Sequence, residues 1–252
     1  MTPERWRWPY PRMVAHRGAG KIAPENTLAA MRVGHGYGYR MVEIDARLSG
    51  DGVLMLMHDD TVDRTTNGSG RVGGMTWGEL ARLDAGHFSR DAHPEFVGEP
   101  IPTFEAIARW CLANDVAINI EIKPCPGREA ETGAAVALDV LRLWRNTELP
   151  PLFSSFNETA LAAARAVAPN VPRALLQDEL SSDWLERLAR LGCVALDANY
   201  GELSPAIVDA AHGGGYNVAC YTPNDPAIVR DLLAWGVDCV ITDAVDVIPP
   251  GG

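Results

Sequence analysis

The chain is 252 residues long and 47% hydrophobic, with 22 basic against 33 acidic side chains and a net charge of −11. That length can bury one large core. The acidic balance excludes a surface that wraps nucleic acid or settles on anionic lipid by charge, so a bound phosphate must meet a local cluster of cations or a metal ion.

The first β-rich apolar run covers residues 13–16 and ends in His16-Arg17-Gly18. A helical stretch at 26–36 leads to a second strand at 41–46, which carries Glu43 and Asp45. Ser49-Gly50-Asp51-Gly52 then forms a turn, and the apolar run 53–58 should fold back as a hairpin strand that returns His58 alongside Glu43 and Asp45. Residues 59–102 are rich in Gly, Thr, Asp and His, with one short helical stretch at 76–83, and read as an insertion over one end of the molecule. From there strands at 117–123, 151–156, 172–177, 194–200, 217–221 and 238–242 alternate with helices at 104–114, 129–144, 158–167, 182–191, 205–213 and 225–235. Eight strands in strict alternation with helices predict a parallel sheet closed as a (β/α)8 barrel, the TIM barrel of the α/β class, in one domain spanning 1–252. Only residues 244–252 follow Asp243, and they end in Pro249-Pro250-Gly251-Gly252, so the eighth helix is expected to be missing or vestigial. Trp6, Trp8 and Tyr10 are expected to cover apolar surface near that gap.

Side chains two apart on a strand share a face, so Glu43 and Asp45 point together, as do Glu121 and Lys123. Three carboxylates converging at the C-terminal rim of a barrel would repel one another unless a cation sat among them. An all-oxygen set without thiolate suits a hard divalent ion, Mg2+ or Ca2+, with Mn2+ a third fit. The competing reading pairs Glu43 with an arginine and Glu121 with a lysine as ordinary rim salt bridges. His16 and His58, each at the end of a strand, suit general acid and general base work on either side of a bound phosphate. Arg17 and Lys123 would neutralise the phosphate oxygens. His35, His87, His93 and His212 lack such company and read as structural or surface residues.

In order along the chain stand His16-Arg17-Gly18, Pro24-Glu25-Asn26-Thr27, Glu43-Ile44-Asp45, Asp51-Gly52 with His58-Asp59, Glu121-Ile122-Lys123 and Thr242-Asp243. With these motifs the chain resembles the bacterial, cytoplasmic type of glycerophosphodiester phosphodiesterase from about Met13 to Asp243. The resemblance implies a barrel of the PLC-like phosphodiesterase type, with metal ligands matching Glu43, Asp45 and Glu121, catalytic histidines matching His16 and His58, and phosphate contacts matching Arg17 and Lys123. Within the second motif, Asn26 fits a helix N-cap and Glu25 a loop-holding residue. The chain departs from the family at Tyr221-Thr222-Pro223-Asn224, where a tryptophan usually precedes the threonine, and the departure bears on the fit of the glycerol end or of the leaving alcohol.

The expected reaction is metal-dependent hydrolysis of a glycerophosphodiester to sn-glycerol 3-phosphate and an alcohol, with a small molecule as the only implied partner. A lysophospholipase D activity would instead need an apolar groove, for which Met75, Trp77, Leu80, Leu83, Phe88 and Phe96 are the candidates in the insertion, although anchoring the insertion is their favoured role. A non-catalytic phosphate binder would have no use for a paired acid and base. The five cysteines are odd in number, scattered through apolar segments and without metal-ligand spacing, as in a reduced cytoplasmic protein. No stretch reaches the roughly 18 uncharged apolar residues of a membrane span, and residues 1–12 carry no signal-peptide core.

Overall fold

The computed structural model describes residues 5–89 and 91–251, so the outermost residues of the expected 1–252 span and Arg90 of the insertion lie outside the described residues. Strand β1 is Met13–Ala15, β2 is Met41–Leu48 and β3 is Leu54–Leu56. Six further strands follow: β4 (Ala117–Ile122), β5 (Leu152–Ser155), β6 (Arg173–Gln177), β7 (Ala195–Asn199), β8 (Asn217–Tyr221) and β9 (Cys239–Thr242). All but β3 pair in parallel around a closed ring, β1 meeting β9 on one side and β2 on the other. The expected eight-stranded barrel is therefore present. The extra strand β3 lies antiparallel on β2, with Ala46 opposite Leu56, as the Ser49 to Gly52 turn predicted.

The helices are α1 (Leu28–Gly36), α2 (Trp77–Leu80), α3 (Phe104–Ala113), α4 (Glu129–Leu143), α5 (Glu158–Val167), α6 (Trp184–Leu191), α7 (Pro205–Gly213) and α8 (Pro226–Ala234). Side chains of Thr27, Thr103, Asn157, Ser204 and Asp225 accept backbone N–H bonds at the starts of α1, α3, α5, α7 and α8, which satisfies donors that have no partner within the helix. No helix among the described residues is long and apolar enough to cross a membrane.

Strand alternation sorts the core into two shells. Val42, Ile44, Ala46 and Leu48 of β2 face outward and pack with the helices in the main cluster, which also holds Phe104, Ile107 and Phe153. Each such fully buried aliphatic contributes roughly 1.5–3 kcal/mol. Met41, Leu152, Ala174, Ala195 and Cys239, at or near the starts of their strands, belong to an inner cluster that includes Val14, Ala219 and Ile241.

Trp6, Trp8 and Tyr10 pack on this inner cluster, which corrects the expected position of that segment. Tyr10 Oη donates to the Pro150 carbonyl at 3.0 Å and Asn217 Nδ2 donates to the Trp6 carbonyl at 2.9 Å, so the segment closes the N-terminal end of the barrel. Among the described residues the chain after β9 forms no α-helix and covers the outer face of the barrel there. There Val245 and Ile248 are buried in the outer core, and Tyr39 Oη donates to the Ile248 carbonyl at 2.8 Å.

Residues 59–102 run between β3 and α3. Met75, Trp77, Leu80 and Leu83 join Met55, Met57, Val62, Val72 and Ile101 in a third cluster, so these apolar residues hold the segment to the hairpin. Phe96 packs against the main cluster and Phe88 is 64% exposed.

Candidate active site

Glu43 and Asp45 project from β2 into the barrel, and Glu121 projects from β4 in register with Asp45. All three are buried, and a ligand oxygen from each lies within 4.8 Å of the other two. Burial, followed by repulsion from Asp45 and Glu121, pushes the Glu43 carboxyl well above the usual range. Burial with the charge of Asp45 takes Glu121 up to about 7. Burial acts on Asp45 in the same direction, but the Lys123 and Arg17 cations outweigh it and leave its pKa lowered.

Asn26 grips Asp45 from both sides, its Nδ2 donating to Oδ2 at 2.7 Å and its Oδ1 accepting from the Asp45 backbone N–H at 3.0 Å. The residue expected as an N-cap therefore orients a carboxylate, and Thr27 caps α1 in its place. Glu43 Oε1 and Asp45 Oδ1 find no hydrogen-bond donor in the protein. Buried carboxylate oxygens without donors, in an all-oxygen set of three, fit a hard divalent cation.

Two cationic side chains rim the triad. Lys123 Nζ lies 2.8 Å from Glu121 Oε1 and 3.8 Å from Asp45 Oδ1, and 5.6 Å above the Phe156 ring. Arg17 sits in a left-handed conformation (φ 50°) that is unusual for a residue with a side chain, and its backbone N–H donates to Glu43 Oε2 at 3.0 Å. Its guanidinium reaches Glu25 at 2.9 Å and Asp45 at 3.5 Å.

His16 and His58 both line the cavity over the triad, and each is held from behind by a carboxylate. His16 Nδ1 lies 2.6 Å from Asp243 Oδ1, and His58 Nδ1 lies 2.6 Å from Asp59 Oδ1. A carboxylate at Nδ1 fixes that nitrogen as the donor and leaves Nε2 to exchange a proton. Burial draws the His58 pKa below its ordinary value, with Arg17 and Lys123 acting in the same direction against Asp45. Asp59 and Asp243 stand in the sequence motifs without an expected role; their positions, directly after His58 and directly after β9, are the signal that the sequence offers for it. Arg64 was missed altogether. It binds Asp59 at 2.6 Å and Glu25 at 2.7 Å, so one guanidinium joins the support of His58 to the support of Arg17.

The cavity, about 120 Å³, continues past the triad to Asn119, Ser154, Asp197 and Tyr221. Asp197 is fully buried, and burial raises its carboxyl to about 8. None of Met75, Trp77, Leu80, Leu83, Phe88 and Phe96 lines this cavity.

A barrel whose C-terminal rim joins three buried carboxylates, two cationic side chains and two anchored imidazoles is equipped for acid–base chemistry on an anionic substrate. The model of the glycerophosphoryl diester phosphodiesterase family matches residues 16–247, and the chain belongs to that family. A glycerophosphodiester phosphodiesterase of Caldanaerobacter subterraneus subsp. tengcongensis is 34% identical over 236 residues, 92% of this chain and 93% of its own. Among solved structures, an Oleispira antarctica phosphodiesterase in complex with the product sn-glycerol-3-phosphate is 36% identical with a TM-score of 0.87, covering 96% of this chain and 94% of that one. A glycerophosphodiester phosphodiesterase from Agrobacterium tumefaciens is 30% identical with a TM-score of 0.77, covering 94% and 97%.

Proposed function

We propose that the protein hydrolyses glycerophosphodiesters to sn-glycerol 3-phosphate and a free alcohol, with His16 and His58 as the acid–base pair. The observation that carries this reading is two imidazoles, each tied at Nδ1 to a carboxylate, lining one cavity over a buried carboxylate triad. Arg17 and Lys123 bind the phosphate oxygens. One histidine removes a proton from the attacking oxygen and the other protonates the departing alcohol. His58, whose burial favours the neutral imidazole, is suited to the base role. Glu43, Asp45 and Glu121 would hold a divalent ion, Mg2+ or Ca2+ with Mn2+ a third fit, which would supply charge stabilisation at the phosphoryl oxygens.

The attacking oxygen is either the glycerol 2-hydroxyl, by way of a cyclic phosphate, or water. A diester without that hydroxyl separates the two, because unchanged turnover excludes the cyclic route. Residues 59–102 serve as the cap of the catalytic end, entering the site through Asp59 and Arg64. Five free, buried cysteines support a reducing, cytoplasmic setting.

The test is release of sn-glycerol 3-phosphate from glycerophosphocholine by purified protein, after EDTA and after Mg2+, Ca2+ or Mn2+ is added back. Product that returns with metal, and that His16→Ala and Glu43→Ala each abolish, is the expected result. Absence of product from every head group with every metal would defeat the reading.

A further inference from the structure

The inner wall of the cavity carries buried polar atoms that are poorly satisfied: Asn119 approaches Asp197 and Asp178 approaches Tyr221, but neither contact reaches good hydrogen-bond geometry. Asn119 Oδ1, Ser154 Oγ, both Asp197 carboxyl oxygens and Tyr221 Oη are buried and without a hydrogen bond of good geometry. Ser154 and Asp197 are fully buried and Asn119 is 2% exposed, yet all four residues line the same cavity as His16 and Glu121. A native interior rarely leaves such groups unmatched, because each gives up its water without a replacement.

The strands set these groups on one continuous wall. Asn119 is two residues before Glu121 on β4 and shares its face, and Ser154 of β5 stands in register with Glu121. Strand β7, which carries Asp197, lies across the ring from β2 and its two carboxylates. Tyr221 closes the wall from β8, with its ring 6.0 Å from that of Phe156.

We infer that Asn119, Ser154, Asp197 and Tyr221 form a hydroxyl-recognition wall for the glycerol unit of the substrate, which places the variable alcohol toward the mouth. The inference rests on the reading of the protein as a glycerophosphodiester phosphodiesterase. Glycerol carries two free hydroxyls beside its phosphoester, and each both donates and accepts, which matches a wall holding an amide oxygen, a carboxyl and two hydroxyls. A trimethylammonium head group has neither donor nor acceptor and would leave the wall unmatched. The closed end of a small cavity also suits the part of the substrate whose size is constant. Phe156, 43% exposed, gives the mouth an aromatic surface for alcohols of differing size.

The experiment is calorimetric titration of the full-length protein in Ca2+ with sn-glycerol 3-phosphate, phosphocholine and inorganic phosphate, for the wild type and for Asp197→Ala, Ser154→Ala and Tyr221→Phe. Circular dichroism checks that each variant is folded, and Tyr221→Phe, which removes a single hydroxyl, covers the case in which Asp197→Ala does not fold. The expected result is a loss of affinity for sn-glycerol 3-phosphate of about tenfold or more in Asp197→Ala and severalfold in the other two. Inorganic phosphate and phosphocholine should change less than about twofold, since neither carries a glycerol hydroxyl. Unchanged affinity for sn-glycerol 3-phosphate in folded variants would mean that the wall holds water only and would overturn the inference, as would a loss confined to phosphocholine. Turnover of glycerophosphodiesters by the wild type keeps that failure distinct from failure of the parent reading, in which the wild type would neither turn over a diester nor bind sn-glycerol 3-phosphate.

Discussion

His16 Nδ1 sits 2.6 Å from Asp243 Oδ1, joining the residue that follows the first strand of the barrel to the residue that follows the last. Asp243 is itself held: its backbone N–H donates to Asn224 Oδ1 at 2.9 Å, and Asn224 Nδ2 donates to its Oδ2 at 3.3 Å. Gly20 makes the approach possible, because a side chain there, at φ 58°, would collide with the Asp243 backbone. Asp243→Asn keeps the shape but lets the imidazole choose either tautomer. It should lower kcat by about tenfold to a hundredfold with KM changed little, as steady-state assays of the variant would measure.

The carboxylate triad should make the protein more stable with a divalent metal than without. Three buried carboxylates near one another disfavour the ionised state, and a bound divalent ion relieves this while binding only the folded chain. Ca2+ or Mg2+ at about a hundred times its dissociation constant should stabilise the fold by roughly 2.7 kcal/mol, a rise in Tm of about 5–10 °C. Glu121→Gln should remove most of that rise. Calorimetric scans with EDTA and with metal measure it without recourse to activity.

Asp197 predicts a pH dependence of stability. Its folded pKa, about 8, lies above that of an ordinary carboxyl, so between about pH 4 and pH 8 the unfolded chain ionises this group while the folded chain does not. Stability is therefore fully present below pH 4 and falls as pH rises through the folded value. Asp197→Asn removes this component. In EDTA the Tm of the variant should match that of the wild type near pH 4 and exceed it by several degrees near pH 8, a difference of about 2–5 kcal/mol. Parallel Tm curves from pH 4 to pH 8 would contradict the assignment.

Arg64 spans two carboxylates, Asp59 behind His58 and Glu25 behind Arg17, and is itself half exposed. Arg64→Gln should leave the thermal midpoint nearly unchanged, since exposed ion pairs contribute about 0–1 kcal/mol. It should nevertheless slow turnover severalfold and shift the pH profile of kcat, because Asp59 loses the cation that holds it against His58. Arg64→Lys, which keeps the charge without the planar fork, should recover only part of the rate.

Much of this was legible without coordinates because it is local. Alternation along β2 gives Glu43 and Asp45 a common face and alternation along β4 gives one to Glu121 and Lys123, and the Gly-rich turn before residues 53–58 implies the antiparallel return that brings His58 to the site. Helix starts were legible to within a residue or two for the same reason, since a capping side chain and the backbone it serves are close in the chain, although at α1 the cap is Thr27 and not Asn26.

What the sequence by itself determined is therefore the strand and helix alternation of an eight-stranded barrel, the inward face of its carboxylates and the pairing of His16 with His58. The tertiary structure alone decided which groups hold those residues. Asp243 on His16, Arg64 between Asp59 and Glu25, Asn26 on Asp45, and the aromatic segment at the N-terminal end of the barrel are contacts between distant parts of the chain, made when the ring closes and loops from different strands meet. The unmatched wall of Asn119, Ser154, Asp197 and Tyr221 belongs with them, because a polar residue in an apolar strand becomes conspicuous only once burial has removed its water and no partner has replaced it.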